Sequence, residues 1–175
     1  MAADMPASPR TIVVMRHAKA EQAGPTDFER PLADRGRDDA AAAGGWLAAQ
    51  GVRPDVALVS AATRTLETFA AVSRGAQWTL EPTPDRGLYA ADPDTVLDLV
   101  RALDDDVRSV VLIGHNPTMA YLATVLDDGE GDTDAALGLT AGFPTSALAV
   151  FAYDGTWGGL AGGRARITAF HVGRG

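Results

Sequence analysis

Short apolar runs alternate along the chain with longer segments whose apolar residues recur at helical spacing. The short runs are rich in β-branched residues and predict buried strands at 11–15 (TIVVM), 55–59 (DVALV) and 109–113 (SVVLI). A fourth run, at 78–81, predicts a strand more weakly. The longer segments predict helices at residues 35–50, 62–73, 93–103 and 117–126. This alternation predicts an α/β fold with a mainly parallel central sheet and right-handed crossovers.

The C-terminal part of the chain has a different pattern. Residues 147–153 and 166–172 have the composition of strands and are joined by a glycine-rich turn, which predicts an antiparallel pair. Before them, the acidic segment 127–134 (DDGEGDTD) predicts a solvated loop. This segment does not fit a calcium-binding loop, because Thr133 replaces the turn glycine and no glutamate closes it.

Composition narrows the classes of protein that remain. The 175 residues include no cysteine, which excludes disulfides, thiolate metal sites and a cysteine nucleophile. The net charge is −8, so neither nucleic acid nor an anionic membrane is an expected partner. No apolar run approaches the roughly 18 residues of a membrane span. Residues 1–10 predict a polar, disordered lead-in with no signal sequence, and the expected location is cytoplasmic.

Basic and imidazole side chains follow three of the predicted strands. Arg16 and His17 come directly after the first strand, Arg64 follows the second, and His115 follows the SVVLI strand. Ligands of open α/β sheets bind beyond the carboxyl ends of the strands. We therefore expect these side chains to meet at one edge of the sheet. His171 lies near the C-terminus, has no such neighbours and is expected to be a structural residue.

The segment around His115 (GHNPT) has the features of a helix start. Asn116 is a good N-cap and Pro117 suits the first helical position, so the imidazole is expected at a helix N-terminus, which favours anions. Arg64 is expected in the first turn of its own helix. All basic residues except Lys19 are arginines, and the guanidinium group binds phosphate oxygens in pairs. Together these groups predict a cradle for a tetrahedral dianion such as phosphate.

Several segments resemble those of a known family. Arg16-His17, the SAATRT segment around Arg64 and the GHNPT segment resemble the RH signature, second arginine and second histidine of the histidine phosphatase (phosphoglycerate-mutase-like) superfamily. Other segments resemble its small, SixA-like phosphohistidine phosphatase branch, namely RHAKAE at 16–21, ERPLADRGRDDA at 29–40, LYAAD at 88–92 and GFPTSALAV at 142–150. The resemblance extends over residues 11–170, and the order of the motifs makes it specific.

The resemblance implies a fold and roles for particular residues. The fold would be a single three-layer, phosphoglycerate-mutase-like α/β domain at 11–172, with helices flanking the mainly parallel sheet and the antiparallel pair at its C-terminal end. His17 would be the nucleophile, taking the phosphoryl group as a covalent phosphohistidine. His115, Arg16 and Arg64 would be the other catalytic residues. The phosphoryl oxygens would be bound by Arg16, Arg64, His115 and, as a feature of the SixA-like branch, Arg30. No metal or cofactor is implied, because guanidinium groups supply the positive charge.

One departure from the wider superfamily concerns the general acid. In the mutase and acid-phosphatase branches an acidic residue follows the second arginine segment, whereas residues 86–90 (RGLYA) hold no carboxylate. The SixA-like branch lacks this acid as well. The nearest carboxylates are those of Asp85, Asp92, Glu21 and Asp27. An enzyme without a general acid forgoes a factor of about 10² to 10⁴ on poor leaving groups. The expected substrate is therefore one with a good leaving group, such as phosphohistidine.

Other functions stay open at this point. The chain could be a small-molecule phosphomonoesterase of the same superfamily, with Asp92 or Glu21 as the acid. It could instead be a non-catalytic, phosphate-binding regulatory module. A metal hydrolase built on His17 and His115 is disfavoured, because the sequence has no HxH or HxxxH pair. The expected partner is a phosphorylated protein carrying phosphohistidine, or a small phosphorylated substrate.

Overall fold

Six strands and five α-helices follow one another in the computed structural model, which describes residues 7–175. The strands are β1 (Arg10–Arg16), β2 (Val56–Ser60), β3 (Thr83–Asp85), β4 (Ser109–Gly114), β5 (Ala147–Tyr153) and β6 (Arg166–Val172). The helices are α1 (Asp34–Ala49), α2 (Thr63–Ala76), α3 (Pro93–Arg101), α4 (Thr118–Leu126) and α5 (Thr133–Ala141). Two short 3₁₀ turns lie at Gly87–Tyr89 and Trp157–Gly159.

All six strands belong to one sheet, in the order β3-β2-β4-β1-β5-β6. The first four in this order run parallel to one another, whereas β5 is antiparallel to β1 and β6 is antiparallel to β5. Helices cover both faces of the sheet. The protein is thus a three-layer α/β domain with a mainly parallel sheet and an antiparallel C-terminal pair, which confirms the predicted fold class.

The central strand β1 contributes side chains to two apolar cores. Ile12 and Val14 face the core beneath α3, α4 and α5, while Val13 and Met15 face the core beneath α1 and α2. All four side chains are fully buried. Because successive residues of a strand point to opposite faces, a strand covered on both sides must be apolar throughout. This requirement is why the run at 11–15 predicts the strand well.

The weak strand predicted at 78–81 is wrong. These residues have no regular structure, and the next strand, β3, begins at Thr83 and pairs with the last three residues of β2. The apolar side chains of Trp78 and Leu80 instead pack against the core beneath α1 and α2. The indole Nε1 of Trp78 donates to the carbonyl of Val52 at 3.2 Å. The apolar run at this point therefore covers a core without pairing in the sheet.

A helix occupies part of the chain that the pattern leaves unassigned. The predicted loop at 127–134 ends two residues early, because α5 begins at Thr133. Asp132 caps this helix, its carboxylate accepting from the N–H of Ala135 at 2.8 Å. Gly138 lowers the intrinsic helix propensity by about 1 kcal/mol relative to alanine, which obscures the helix in the sequence. Its missing side chain allows the helix to lie directly on Phe170 of β6.

The predicted disordered lead-in falls partly outside the described residues, which exclude 1–6. Residues 7–9 have no regular structure, and Arg10 is already part of β1. Its guanidinium is buried and donates to the carbonyl of Gly155 at 2.7 Å. Within residues 7–175, none of the helices is both long enough and apolar enough to cross a membrane.

Helices α1 and α2 cross in close contact through two glycines. A methyl group added to Gly44 of α1 would overlap the carbonyl oxygen of Val72, and one added to Gly75 of α2 would overlap that of Ala41. Each of these oxygens belongs to the opposite helix, so the backbones approach without intervening side chains. This crossing holds α2, which carries Arg64, against the rest of the domain.

We expect Gly44→Ala to lower the free energy of unfolding by about 1–3 kcal/mol, because overpacking a rigid backbone contact forces the two helices apart. The matched control is Gly45→Ala, one residue along the same helix, where an added methyl carbon would have no neighbour nearer than 3.9 Å. That change should be neutral or stabilise the helix by up to about 1 kcal/mol. Urea unfolding followed by circular dichroism measures both variants, and equal stabilities would contradict the proposed packing.

Candidate active site

The candidate site begins where β1 and β4 end side by side. Arg16 pairs with Gly114 across the parallel ladder, and the N–H of His17 continues it by donating to the carbonyl of Gly114 at 3.0 Å. His17 and His115 therefore leave the sheet at the same edge, and their ring centroids lie 5.3 Å apart. The parallel pairing thus brings the two histidines together, as the positions of the strands predict.

The imidazole of His17 is held in one tautomer by the backbone carbonyl of the next residue, Ala18. Its Nδ1 lies 2.7 Å from the carbonyl oxygen of Ala18, which can only accept, so Nδ1 carries the proton and Nε2 has a free lone pair. The backbone of this turn is fixed as well, because the N–H of Ala18 donates to Thr68 Oγ1 at 3.0 Å and the N–H of Ser146 donates to the carbonyl of His17 at 3.1 Å. The lone pair of Nε2 is therefore free and held in one direction.

Burial and nearby arginines keep His17 uncharged. The side chain is only 8% exposed, and its burial is the main cause that lowers its pKa to about 4. The hydrogen bond to Ala18 raises the pKa, while the positive charges of Arg64, Arg16 and Arg30 lower it further. At neutral pH the ring is therefore the uncharged form, which is the form that can attack phosphorus.

His115 is oriented by Ser60 at the end of β2. Its Nε2 lies 2.8 Å from the Ser60 hydroxyl oxygen, which also accepts from the N–H of Ala62 at 3.4 Å. Ser60 is fully buried, so its hydroxyl proton needs an acceptor, and Nε2 is the one within reach. Nδ1 then carries the ring proton. This atom is buried and has no hydrogen-bond partner among the described residues.

The pKa of His115 is also low, at about 3, first because the ring is largely buried and then because His17 and Arg64 disfavour another positive charge. The ring therefore acts as a neutral hydrogen-bond donor at physiological pH. The arginines keep their positive charge in the site, since guanidinium groups do not deprotonate in proteins.

The arginines surround the two rings. Arg16 is anchored to the carbonyl of Phe143 at 3.3 Å, which also accepts from Asn116 Nδ2 at 2.8 Å. Arg64, in the first turn of α2, is 6% exposed. The Nε atoms of Arg16 and Arg64 are buried and have no partner within the described part of the chain. A cleft of about 370 Å³ opens beside Arg16 and is lined by Arg16, His17, Lys19, Ala20, Gln22, Arg30 and Thr145.

The structure brings together all five residues predicted for the site. Arg16, His17 and Arg30 line the same cleft, and His115 and Arg64 adjoin it. Among residues 7–175 no three His, Asp or Glu side chains converge in a way that could hold a metal ion. The groups that do converge are N–H donors and cations, which suit an anion.

Asp27 connects the arginines and was foreseen only as a possible acid. Its backbone carbonyl accepts from Arg64 Nη1 at 2.7 Å, and its carboxylate accepts from Arg64 Nη2 at 3.3 Å and Arg30 Nε at 3.0 Å. The hydroxyl of Tyr89 donates to the same carboxylate. The Tyr89 hydrogen bond is the main cause that lowers the pKa of Asp27 to about 2, with the charges of Arg64 and Arg30 acting in the same direction. The carboxylate therefore holds no proton at neutral pH.

The other carboxylates named as possible acids make contacts of their own. Asp92 caps α3 by accepting from the N–H of Thr95 at 2.8 Å, and this bond lowers its pKa. Asp85 accepts from the N–H of Leu88 at 3.3 Å. The backbone carbonyl of Glu21 accepts from Arg30 Nη1 at 2.9 Å. Asp27 and Asp92, with their lowered pKa values, are therefore poorly suited to donate a proton at neutral pH.

The start of α4 differs from the prediction by one residue. Pro117 occupies the N-cap position and the helix begins at Thr118, rather than Asn116 capping a helix that starts at Pro117. Asn116 still contributes, because its side-chain oxygen accepts from the N–H of Ala120 at 3.2 Å. The shift places His115 just before the helix. Its carbonyl accepts from the N–H of Met119 at 3.0 Å.

Several residues of the site were not identified from the sequence. The sequence does contain a signal for Thr68, because a residue four positions after Arg64 lies on the same face of helix α2. Ser60 has a weaker one, as the first residue after the predicted strand at 55–59. Tyr89 has none, because its edge contact with His115, at 5.4 Å between ring centroids, depends on the fold. His171 lies elsewhere and stacks on Trp46 at 4.5 Å, as expected for a structural residue.

Comparison with known proteins shows the family of this chain. Residues 12–91 match the family model of the histidine phosphatase superfamily, branch 1. An uncharacterised protein of Mycobacterium tuberculosis (strain H37Rv) is 40% identical over 166 residues, which cover 91% of this chain and 100% of the relative. The phosphohistidine phosphatase SixA of Escherichia coli (strain K12) is 32% identical over 128 residues, covering 68% of this chain and 75% of the relative. The chain therefore belongs to the histidine phosphatase superfamily.

The SixA-like branch is the part of the superfamily that fits. A solved structure described as a phosphohistidine phosphatase SixA from Nakamurella multipartitia superimposes with a TM-score of 0.85 at 31% identity. The match covers 97% of this chain and 99% of that one. Both the expected family and its SixA-like branch are confirmed, and they support a phosphatase among the hydrolases.

We expect NMR to find both imidazoles of the site neutral at pH 7. Since burial lowers the pKa, each ring should stay neutral as the pH falls past about 6.5, where a free imidazole becomes charged. His17 should be half protonated near pH 4, and His115 should still be largely neutral there. Two-bond ¹H–¹⁵N correlation spectra should place both ring protons on Nδ1. His17→Ala and His115→Ala assign the signals, and an imidazolium signal for His17 at pH 6.5 would show that the described environment is wrong.

Proposed function

We propose that this protein is a phosphohistidine phosphatase that works through a covalent phosphohistidine on His17. The observation that carries the proposal is the state of the His17 ring, which is neutral, fixed by Ala18 and surrounded by three guanidinium groups. A free Nε2 lone pair beside unpaired N–H donors is the combination that phosphoryl transfer to an imidazole requires.

In the first step the Nε2 lone pair of His17 attacks phosphorus, and the bond from phosphorus to the leaving group breaks with its electron pair. The phosphorylated ring keeps its proton on Nδ1 and becomes cationic, and the carbonyl of Ala18 stabilises this cation by accepting that proton's hydrogen bond. In the second step a water oxygen attacks phosphorus. The bond to Nε2 then breaks, its electron pair returns to the ring, and inorganic phosphate leaves. Neither step needs an electron donor or acceptor.

The arginines and His115 bind the phosphoryl oxygens in this proposal. The guanidinium groups of Arg16 and Arg64 lie near His17, and the His115 ring lies 5.3 Å from the His17 ring between centroids. Arg30 lines the cleft and adds positive charge there. Because these donors are already in place and largely buried, they stabilise the charge that spreads over the equatorial oxygens in the transition state.

The choice of phosphohistidine follows from the absence of a general acid. When the phosphate ester of an ordinary alcohol is cleaved, the alcohol leaves as an alkoxide unless an acid supplies a proton. Asp27 and Asp92 are poor proton donors at neutral pH, because both have lowered pKa values. A protonated phosphohistidine needs no such help, since its imidazole departs as a neutral molecule. The exposed Lys19 and Gln22 at the cleft rim leave room for a protein surface to approach.

The covalent intermediate can be trapped directly. Incubation with a ³²P-labelled phosphohistidine peptide, followed by a quench in alkaline detergent, should show transient labelling of the protein that is stable in base and lost in acid. His17→Ala should not label and should lose hydrolysis. His171→Ala is the matched control, because His171 lies outside the site, and it should label like the unmodified chain. Absence of any label, together with full activity of His17→Ala, would refute the mechanism.

Substrate preference separates a phosphohistidine phosphatase from a small-molecule phosphomonoesterase. We expect kcat/KM on a phosphohistidine peptide to exceed that on 3-phosphoglycerate by at least about 100-fold, the contribution of a positioned general acid to a poor leaving group. Nitrophenyl phosphate does not discriminate, because its leaving group is also good. Faster turnover of 3-phosphoglycerate would contradict the assignment. Phosphate binding without turnover of any of the three substrates would indicate a regulatory module.

A further inference from the structure

The carboxylate of Asp27 binds Arg30, which lines the cleft, and it is both anchored and accessible. Its partners come from three parts of the chain, with Arg30 in its own loop, Arg64 on α2 and Tyr89 in the 3₁₀ turn. Despite these contacts, 57% of the side chain is exposed to solvent. A fixed negative charge near a phosphate site weakens the binding of phosphate by itself, so its position calls for another explanation.

We propose that Asp27 is a specificity-determining residue, whose carboxylate accepts a hydrogen bond from the ring N–H of the leaving imidazole. This inference rests on the proposed function and deepens it. It selects substrates whose leaving group is a protonated nitrogen heterocycle over those whose leaving group is anionic.

The hydrogen-bond capacity of Asp27 allows this contact. Each carboxylate oxygen accepts about two hydrogen bonds. Oδ2 receives Arg64 and Tyr89, whereas Oδ1 receives only Arg30 among the described residues. Oδ1 therefore keeps one acceptor position, and the exposure of the side chain leaves it open to a substrate. Arg64 ties this acceptor to the group that would hold the phosphoryl oxygens.

The charges around Asp27 keep it an acceptor. Arg30 faces it from its own loop, Arg64 from α2, and the Tyr89 hydroxyl from the 3₁₀ turn. His115, after the end of β4, is also near, since the negative charge of Asp27 acts to raise its pKa. The two guanidiniums and the hydroxyl favour the ionised carboxylate, and the pKa of Asp27 is about 2. Asp27 therefore cannot donate a proton to an alkoxide, but it can hold a proton that the substrate brings.

In the cleavage step, the leaving imidazole already carries the proton that it needs. The substrate ring enters with one nitrogen bonded to phosphorus and the other protonated and bound to Asp27. His17 Nε2 attacks, the phosphorus–nitrogen bond of the substrate breaks with its pair going to that ring, and the leaving imidazole departs neutral with its proton in place. Without that proton the ring would leave as an imidazolide anion. By favouring the protonated ring, Asp27 extends hydrolysis to a pH above the value of about 6.5 at which an imidazole loses its charge.

The test compares Asp27→Asn with the unmodified chain on a phosphohistidine peptide and on nitrophenyl phosphate between pH 6 and pH 9. Asparagine keeps the shape and one acceptor oxygen but removes the charge. We expect kcat/KM on the peptide to fall by about tenfold or more at pH 8, the effect of losing one charge-assisted hydrogen bond, and to fall less at pH 6. On nitrophenyl phosphate, whose leaving group is anionic, it should stay equal or rise.

Two further variants make the result unambiguous. Asp27→Glu keeps the charge and should restore the substrate ratio and the alkaline limb towards those of the unmodified chain. Asp34→Asn is the matched control, since Asp34 is an exposed carboxylate that pairs with Arg37 outside the cleft, and it should change neither. Equal losses on both substrates at every pH would overturn the inference and leave Asp27 as a positioning residue. Failure of the unmodified chain to hydrolyse the peptide at all would instead overturn the proposed function.

Discussion

Parallel hydrogen bonding between β1 and β4 sets the geometry on which the whole site depends. The register places Arg16 opposite Gly114, so His17 and His115 follow at the same height and their rings meet 5.3 Å apart. A slip of one residue would turn every side chain of a strand to the other face. In β4 all six residues are buried, and pairing on both sides holds the strand in register. The core thereby fixes the distance between two polar rings that contribute little to it.

Burial affects the charge of the arginines and of the histidines differently. Guanidinium groups stay charged when they are buried, whereas an imidazole in the same surroundings loses its proton. The arginines therefore supply lasting positive charge, and His17 and His115 supply a lone pair and a neutral donor. The orientation of each ring is fixed by one further contact, with the carbonyl of Ala18 for His17 and with the hydroxyl of Ser60 for His115.

The charges around the cleft differ in sign from the net charge of the chain. The chain carries a net charge of −8, yet Arg16, Arg30 and Lys19 line one cleft, and the anchored carboxylate of Asp27 binds both Arg30 and Arg64. Asp27 neutralises part of that charge and connects the first loop to α2 and to Tyr89. An acidic surface around a small basic cleft disfavours general binding of polyanions and favours one phosphoryl group in a defined place.

The sequence by itself determined the fold class, the central buried strands and the five basic and imidazole residues that meet at one edge of the sheet, because strand burial and strand-end positions are local signals. Apolar side chains alone do not reveal pairing, which is why the run at 78–81 predicts a strand that the structure does not contain. The short helix α5, weakened by Gly138, was missed. Only the tertiary structure decided the tautomers of His17 and His115, the contact of Tyr89 and the anchoring of Asp27. These depend on atoms brought together from distant parts of the chain, and no local pattern of residues encodes such distances.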